Sequence, residues 1–144
     1  MSLLVDTNIL VYAANEKSDR HRAAKDFVER TRASDGFCIT WSILYEWLRI
    51  VTHPRVFEAP LQPEQARSFI RKVTADPRID VLVETAQHER FLHQVLEEAP
   101  ALRGNLYHDA HIAAVMREHG LVDIATADRH FRLFPSLRIV DPTA

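Results

Sequence analysis

Residues 2–10 read SLLVDTNIL, an apolar run that stops at Asp6 and continues as a helical pattern. This order predicts a short β-strand whose carboxyl end carries Asp6. Ligand sites of parallel sheets lie outside the carboxyl ends of the strands, so the position suits a functional carboxylate. Asp, Thr and Asn also cap helices, and an N-cap is the structural alternative for Asp6.

Beyond this stretch the chain alternates between strand and helix patterns. We predict strands over residues 3–5, 37–40, 79–83, 121–126 and 137–140. We predict helices from Asn8, over 20–32, from an N-cap at Ser42 to near His53, over 63–74, from a cap at Thr85 to 98, over 107–119 and, briefly, over 128–131. Helices of this length between strands imply parallel pairing. We therefore predict an α/β fold, a three-layer sandwich with a central parallel five-stranded sheet flanked by helices, and we expect residues 1–144 to form a single domain.

Composition narrows the functional class. The chain has 144 residues, 47% hydrophobic and 26% charged, which is ordinary for a soluble globular protein. With a formal charge of −2 and a pI near 6.4, any binding to nucleic acid depends on local basic patches. Cys38 is the only cysteine, which excludes an intrachain disulfide and suits a reducing cytoplasm. We expect a cytoplasmic protein with no signal peptide and no membrane span.

Three further carboxylates occupy positions comparable to that of Asp6. Asp128 follows the fourth predicted strand, Asp109 opens a late helix, and Glu46 lies one turn into the helix after the second strand. Each has a structural alternative, namely an N-cap for Asp128, a favourable helix-dipole position for Asp109 and a pair with Arg49 for Glu46. Four acids with unrelated structural roles would not need to lie at the same end of one sheet. Their shared predicted location therefore favours a common site.

A cluster of carboxylates predicts a divalent metal site. Close carboxylates repel one another, whereas their oxygens suit Mg²⁺ or Mn²⁺, which are hard ions that keep several waters. Such a site hydrolyses phosphodiesters by a metal-activated water without a covalent intermediate. Dinucleotide-binding and P-loop proteins fit less well, because the chain has no GxGxxG or GxxxxGK loop. His108 and His111 flank Asp109 as in HD phosphohydrolases, but that fold is all-helical.

Five fragments occur in order along the chain: LVDTN at 4–8, YEWLR at 45–49, THPRVF at 52–57, HDA at 108–110 and TADRHF at 126–131. Together they resemble the PIN-domain nucleases and, within them, the VapC-type toxins of type II toxin–antitoxin pairs. The resemblance implies a Mg²⁺-dependent endoribonuclease acting on RNA. In that family four acids form the catalytic site, and they correspond here to Asp6, Glu46, Asp109 and Asp128. Of these, Asp6, Asp109 and Asp128 are implied as metal ligands, with Asn8 and Thr126 supporting them by hydrogen bonds.

The resemblance also has consequences beyond these six residues. Family members often carry a further acid two residues beyond the position of Asp128, where this chain has His130. We interpret His130 as a solvated side chain, and contact with phosphate is the alternative. A homodimer is implied, with contacts on the helices around residues 43–75, as is a cognate antitoxin that presents an Arg to the carboxylates. A catalytically silent PIN-like module that binds RNA or protein is the alternative function.

Overall fold

The computed structural model describes residues 2–144. One sheet contains five strands: β1 (Leu3–Val5), β2 (Phe37–Thr40), β3 (Ile79–Leu82), β4 (Asp123–Ala125) and β5 (Arg138–Val140). The α-helices are α1 (Thr7–Ala14), α2 (His21–Ala33), α3 (Trp41–Val51), α4 (Pro63–Ala75), α5 (His88–Glu98) and α6 (Leu106–Glu118), and a 3₁₀ helix spans Arg129–Leu133. None of the helices within residues 2–144 is both long enough and apolar enough to cross a membrane.

The five strands are parallel and lie in the order β3-β2-β1-β4-β5. The chain therefore starts in the middle of the sheet, extends it on one side of β1 and then returns to extend it on the other. Val5 pairs with Ala125, so the two residues that follow them, Asp6 and Thr126, emerge side by side. The winding direction reverses at β1, and a crevice that can hold a ligand opens at such a reversal.

Apolar strands and small helical residues bury the centre of the sheet. Leu4, Val5 and all four residues of β2 are buried, as expected for parallel strands covered by helices on both faces. In α6, Ala110, Ala113 and Ala114 are buried and allow close packing. The predicted three-layer α/β fold with a parallel five-stranded sheet is confirmed.

Two predicted helix starts are wrong. Thr40, not Ser42, caps α3, because its Oγ1 accepts a backbone N–H of the first turn at 3.2 Å. Strand β2 ends at Thr40 itself, so no connecting residue separates the strand from the helix. Helix α5 starts at His88, and Thr85 instead donates its N–H and its hydroxyl to the carboxylate of Glu118 on α6. In the first case the competing cap is a neighbouring residue, whereas in the second case Thr85 is engaged by a residue 33 positions away.

Candidate active site

Asp6 lies at the carboxyl end of β1 and is only 6% exposed. Its Oδ1 accepts the N–H of Thr7 at 2.8 Å, so Asp6 also caps α1. Its Oδ2 accepts the Thr126 hydroxyl at 2.8 Å and the Asn8 amide at 3.1 Å. Burial raises the pKa of Asp6, the hydrogen bonds from Thr126 and Thr7 oppose that rise, and the charge of Asp128 adds to it. Asp6 is therefore both the N-cap of α1 and a residue of the candidate site.

Thr126 and Asn8 connect the ends of β1 and β4. Thr126 Oγ1 donates to Asp6 and accepts from the Asn8 amide at 3.0 Å and from the Asp128 N–H at 3.0 Å. Asn8 Oδ1 accepts the N–H of Ala127 at 3.0 Å. Because a hydroxyl has one donor and two acceptor lone pairs, the Thr126 side chain is fully satisfied although it is completely buried. The network fixes the Asp6 carboxylate and the backbone leading to Asp128 relative to each other.

Asp109 and Asp128 bring two more carboxylates to the same place. Asp109 lies in the first turn of α6, and Asp128 caps the 3₁₀ helix by accepting the N–H of His130 at 2.9 Å. Burial, followed by the charges of Asp128 and Asp6, raises the pKa of Asp109 to about 7. The charge of Asp128 disfavours the ionisation of both Asp6 and Asp109, so the three carboxylates form a site that a cation would stabilise.

Glu46 differs from the three aspartates because the protein itself supplies its counter-charge. Arg49 forms a bidentate pair with it, Nε to Oε2 at 3.2 Å and Nη2 to Oε1 at 2.5 Å. The hydrogen bonds from Arg49 hold the pKa of Glu46 below its ordinary value. The i,i+3 pair considered as a structural alternative is therefore present, and Glu46 nevertheless faces the same cavities as the aspartates.

Two adjoining cavities, of about 260 and 520 Å³, lie over these carboxylates. Both are lined by the same four residues, Glu46, His108, Asp109 and Asp128. We call the two cavities together the acidic cleft. Asp6 and Asn8 line the smaller one, whereas Arg49 and His130 line the larger one. The structure thus brings all four predicted acids to one cleft, with Thr126 buried beneath it.

Two histidines of the cleft were not assigned to the site from the sequence. His108 lines both cavities, and its position next to Asp109 at the start of α6 was the available signal. His130 is 66% exposed in its side chain, as expected for a solvated residue, but its Nδ1 lies 3.0 Å from Asp128 Oδ1. One ligand atom each of Asp109, Asp128 and His130 lie within 4.8 Å of one another.

The donor set fits a divalent cation. Hard ions such as Mg²⁺ and Mn²⁺ prefer carboxylate oxygens and bind through a few of them while keeping water. Asp6, Asp109 and Asp128 provide such oxygens at the mouth of the sheet, and the charges of Asp6 and Asp128 both raise the pKa of Asp109. The cluster is acidic and preorganised, which is the requirement for a divalent metal of this class.

The chain is similar to known proteins along nearly its whole length. The family model that matches it is the PIN domain, over residues 3–136. Ribonuclease VapC48 of Mycobacterium tuberculosis is 38% identical over 143 residues, which cover 99% of this chain and 98% of that protein. The matched region includes all four acids of the cleft.

Solved structures share the fold at lower sequence identity. The structure of VapBC-1 from nontypeable Haemophilus influenzae contains a chain that superposes with a TM-score of 0.69 at 21% identity, over 100% of both chains. A toxin–antitoxin complex from Klebsiella pneumoniae gives a TM-score of 0.63 at 19% identity, over 97% of both chains. At these identities the likeness concerns the fold, and it agrees with the strand order and helix layers described above.

Proposed function

The chain belongs to the PIN domain family and to its VapC ribonucleases, and on this basis we propose that it is a metal-dependent endoribonuclease that acts as the toxin of a type II toxin–antitoxin pair. Its relative VapC48 is named a ribonuclease. The single observation that carries the proposal is the convergence of Asp6, Asp109 and Asp128 at the carboxyl ends of the central strands, with Asp6 held in place although buried.

We assign the cation to Asp6, Asp109 and Asp128, with Mg²⁺ or Mn²⁺ as the ion. A divalent ion bound there supplies the Lewis acidity and charge neutralisation that phosphodiester hydrolysis requires. Asn8 and Thr126 support the ligands, because their hydrogen bonds set the orientation of the Asp6 carboxylate and the path of the chain to Asp128. Outer partners of this kind commonly determine metal affinity.

Glu46 has a separate role in the proposal. Its carboxylate is ionised at neutral pH, with Arg49 holding its pKa below the ordinary value, and it faces the cleft without being buried in the aspartate cluster. We assign it to accept a hydrogen bond from the attacking water and so to orient that water towards the phosphorus. Arg49 and His108 line the cleft beside it and are placed to contact the RNA backbone.

The partners follow from the same family. The complex from Klebsiella pneumoniae is named a toxin–antitoxin complex. For this chain we propose a cognate antitoxin that covers the acidic cleft and presents an Arg to the carboxylates, and a cytoplasmic location, where RNA and antitoxin are found. Coexpression with a short protein whose gene adjoins the gene of this chain should suppress RNA cleavage. Undiminished cleavage would contradict the proposed toxin–antitoxin pair.

A homodimer is the second assembly that we propose. On α3 and the segment that follows it, Trp41 is 43%, Tyr45 70% and Val56 50% exposed, whereas Trp47 and Phe57 are buried in the core. The exposed three are large apolar groups on or just after α3 and match the composition of interface centres. Sedimentation velocity should give twice the chain mass of 16.6 kDa, and a monomer at micromolar concentration would contradict this assembly.

RNA cleavage by the purified chain tests the proposed function directly. We expect cleavage that EDTA stops and added Mg²⁺ or Mn²⁺ restores, and that Asp6→Asn abolishes. Asn caps helices as well as Asp does, so this variant should keep the fold, which circular dichroism can check. Asp26→Asn, an exposed position on α2, is the matched control and should cleave like the parent. Intact RNA under all these conditions would favour the silent binding module.

A further inference from the structure

We propose that His130 is a nitrogen ligand of the divalent ion held by Asp109 and Asp128, so that this site accepts Mn²⁺ in preference to Mg²⁺. The inference rests on the metal site proposed above and adds to it a donor of a different chemical class. It replaces the interpretation of His130 as a merely solvated side chain.

The geometry brings the imidazole to the right place. Asp109, Asp128 and His130 each offer one ligand atom, and these atoms lie within 4.8 Å of one another. His130 Nδ1 is 3.0 Å from Asp128 Oδ1. Adjacent donors of an octahedral ion lie roughly 3 Å apart, given metal–donor bonds of about 2.1 Å. The three groups therefore need only small side-chain movements to share one ion.

The backbone holds His130 near the ion while leaving its ring free to turn. The N–H of His130 donates to Asp128 Oδ1 at 2.9 Å, which fixes the first turn of the 3₁₀ helix. Phe131, the next residue, is completely buried and anchors that helix to the core. The His130 side chain is 66% exposed, so its ring can rotate from the carboxylate to an ion without disrupting packing.

The identity of this residue determines which ion is preferred. Mg²⁺ takes oxygen ligands almost exclusively, whereas imidazole suits transition metals, and affinity for nitrogen sites rises along the first row from Mn²⁺ to Cu²⁺. A carboxylate two residues after Asp128 would make the site all-oxygen and more negative. His130 makes it a mixed nitrogen and oxygen site with one negative charge fewer, which favours Mn²⁺ over Mg²⁺.

Electron paramagnetic resonance of the Mn²⁺-loaded chain tests this without measuring activity. We expect electron spin-echo modulation from a directly bound ¹⁴N, which changes to the ¹⁵N pattern when histidine is ¹⁵N-labelled. His130→Gln should remove the modulation and weaken Mn²⁺ binding by at least about tenfold, the lower end of what losing even an outer partner costs, with Mg²⁺ binding changed by less than about threefold. His108→Gln is the matched control, because His108 lines the same larger cavity as His130, and it should keep the nitrogen signal.

A further variant and a set of outcomes separate this inference from the proposed function. His130→Asp should raise Mg²⁺ affinity relative to Mn²⁺, as measured by calorimetry, and an unchanged ratio would count against the inference. Mn²⁺ bound without nitrogen modulation, or modulation that persists in His130→Gln, overturns the role of His130 while leaving the carboxylate site intact. A chain that binds neither ion overturns the proposed metal site and this inference together. Melting curves of the metal-free variants, expected to match the parent, check the fold.

Discussion

The acidic cleft has two halves, one around Asp6 and one around Glu46, and they differ in how the charge of the carboxylate is balanced. Asp6 is 6% exposed and is held by the hydrogen bonds of Thr7, Asn8 and Thr126, with no cationic side chain paired to it within residues 2–144. Glu46 is 33% exposed in its side chain and carries its own guanidinium partner, Arg49. In the proposed function the first half takes an external cation for charge balance, whereas the second half already has a cationic side chain. We propose that this difference separates metal binding from the positioning of water and substrate.

The largest expected effect comes from removing the negative charge of the carboxylate in each half. Asp6→Asn should lower RNA cleavage by more than about 100-fold, beyond what losing an outer partner usually costs, because the ion loses a ligand. Glu46→Gln should lower it by only about tenfold, since an amide still accepts a hydrogen bond from water. Single-turnover cleavage at saturating Mg²⁺ measures both. Equal losses would contradict the division of the cleft into a metal half and a positioning half.

Removing the support of the first half should have the next largest effect. Thr126→Val keeps the side-chain volume but deletes the hydroxyl that bridges Asp6, Asn8 and the Asp128 N–H. We expect metal affinity to fall by 10–100-fold, roughly the cost of losing an outer partner, and unfolding free energy to fall by about 1–3 kcal/mol, as for buried groups left unpaired. Calorimetric titration with Mn²⁺ and urea unfolding measure these. Unchanged metal binding would show that Thr126 has only a structural role.

A smaller effect should appear as a pH dependence of the metal-free protein. The pKa of Asp109 is raised from 3.8 to about 7, so between these values the native state binds more protons than the unfolded state. The stability contributed by this group therefore falls as pH rises through that window. We expect the melting temperature in EDTA to rise when pH is lowered from 8 to 5. Asp109→Asn should flatten the curve, and saturating Mg²⁺ should weaken or reverse it.

The smallest effect is expected on the second half. Arg49→Gln removes the guanidinium from Glu46, which is partly solvated, so the fold should be unaffected. The pKa of Glu46 should return towards its ordinary value, as followed by carbon-13 resonance of the side-chain carboxyl. Cleavage should change by less than about threefold at saturating RNA, on the scale of an exposed ion pair. A loss comparable to that of Asp6→Asn would place Arg49 itself in the catalytic machinery.

Much of the architecture was predictable because it depends on local patterns. The bounds of β1 and β2 agree with the predicted strands, since each is a short and largely apolar run. The carboxyl ends of β1 and β4 lie side by side, as strand-terminal Asp6 and Asp128 had indicated. The N-caps at Ser42 and Thr85 were wrong because Thr40 and Glu118 compete for those groups, and the local sequence does not contain the partner in the second case.

The sequence by itself determined the α/β class, the parallel order of strands and helices, and the residue types available to a metal site, because periodicity and chain order depend on near neighbours. Only the tertiary structure decided that the four acids face one cleft, and that Asp6 is buried with no cationic side chain paired to it within the part of the chain that the structure describes. Burial and hydrogen bonding at this site depend on atoms brought together from distant parts of the chain, such as those of Asp6 and Thr126, which lie 120 positions apart. The pKa values of these carboxylates and the set of atoms that face the cleft therefore follow only from the folded structure.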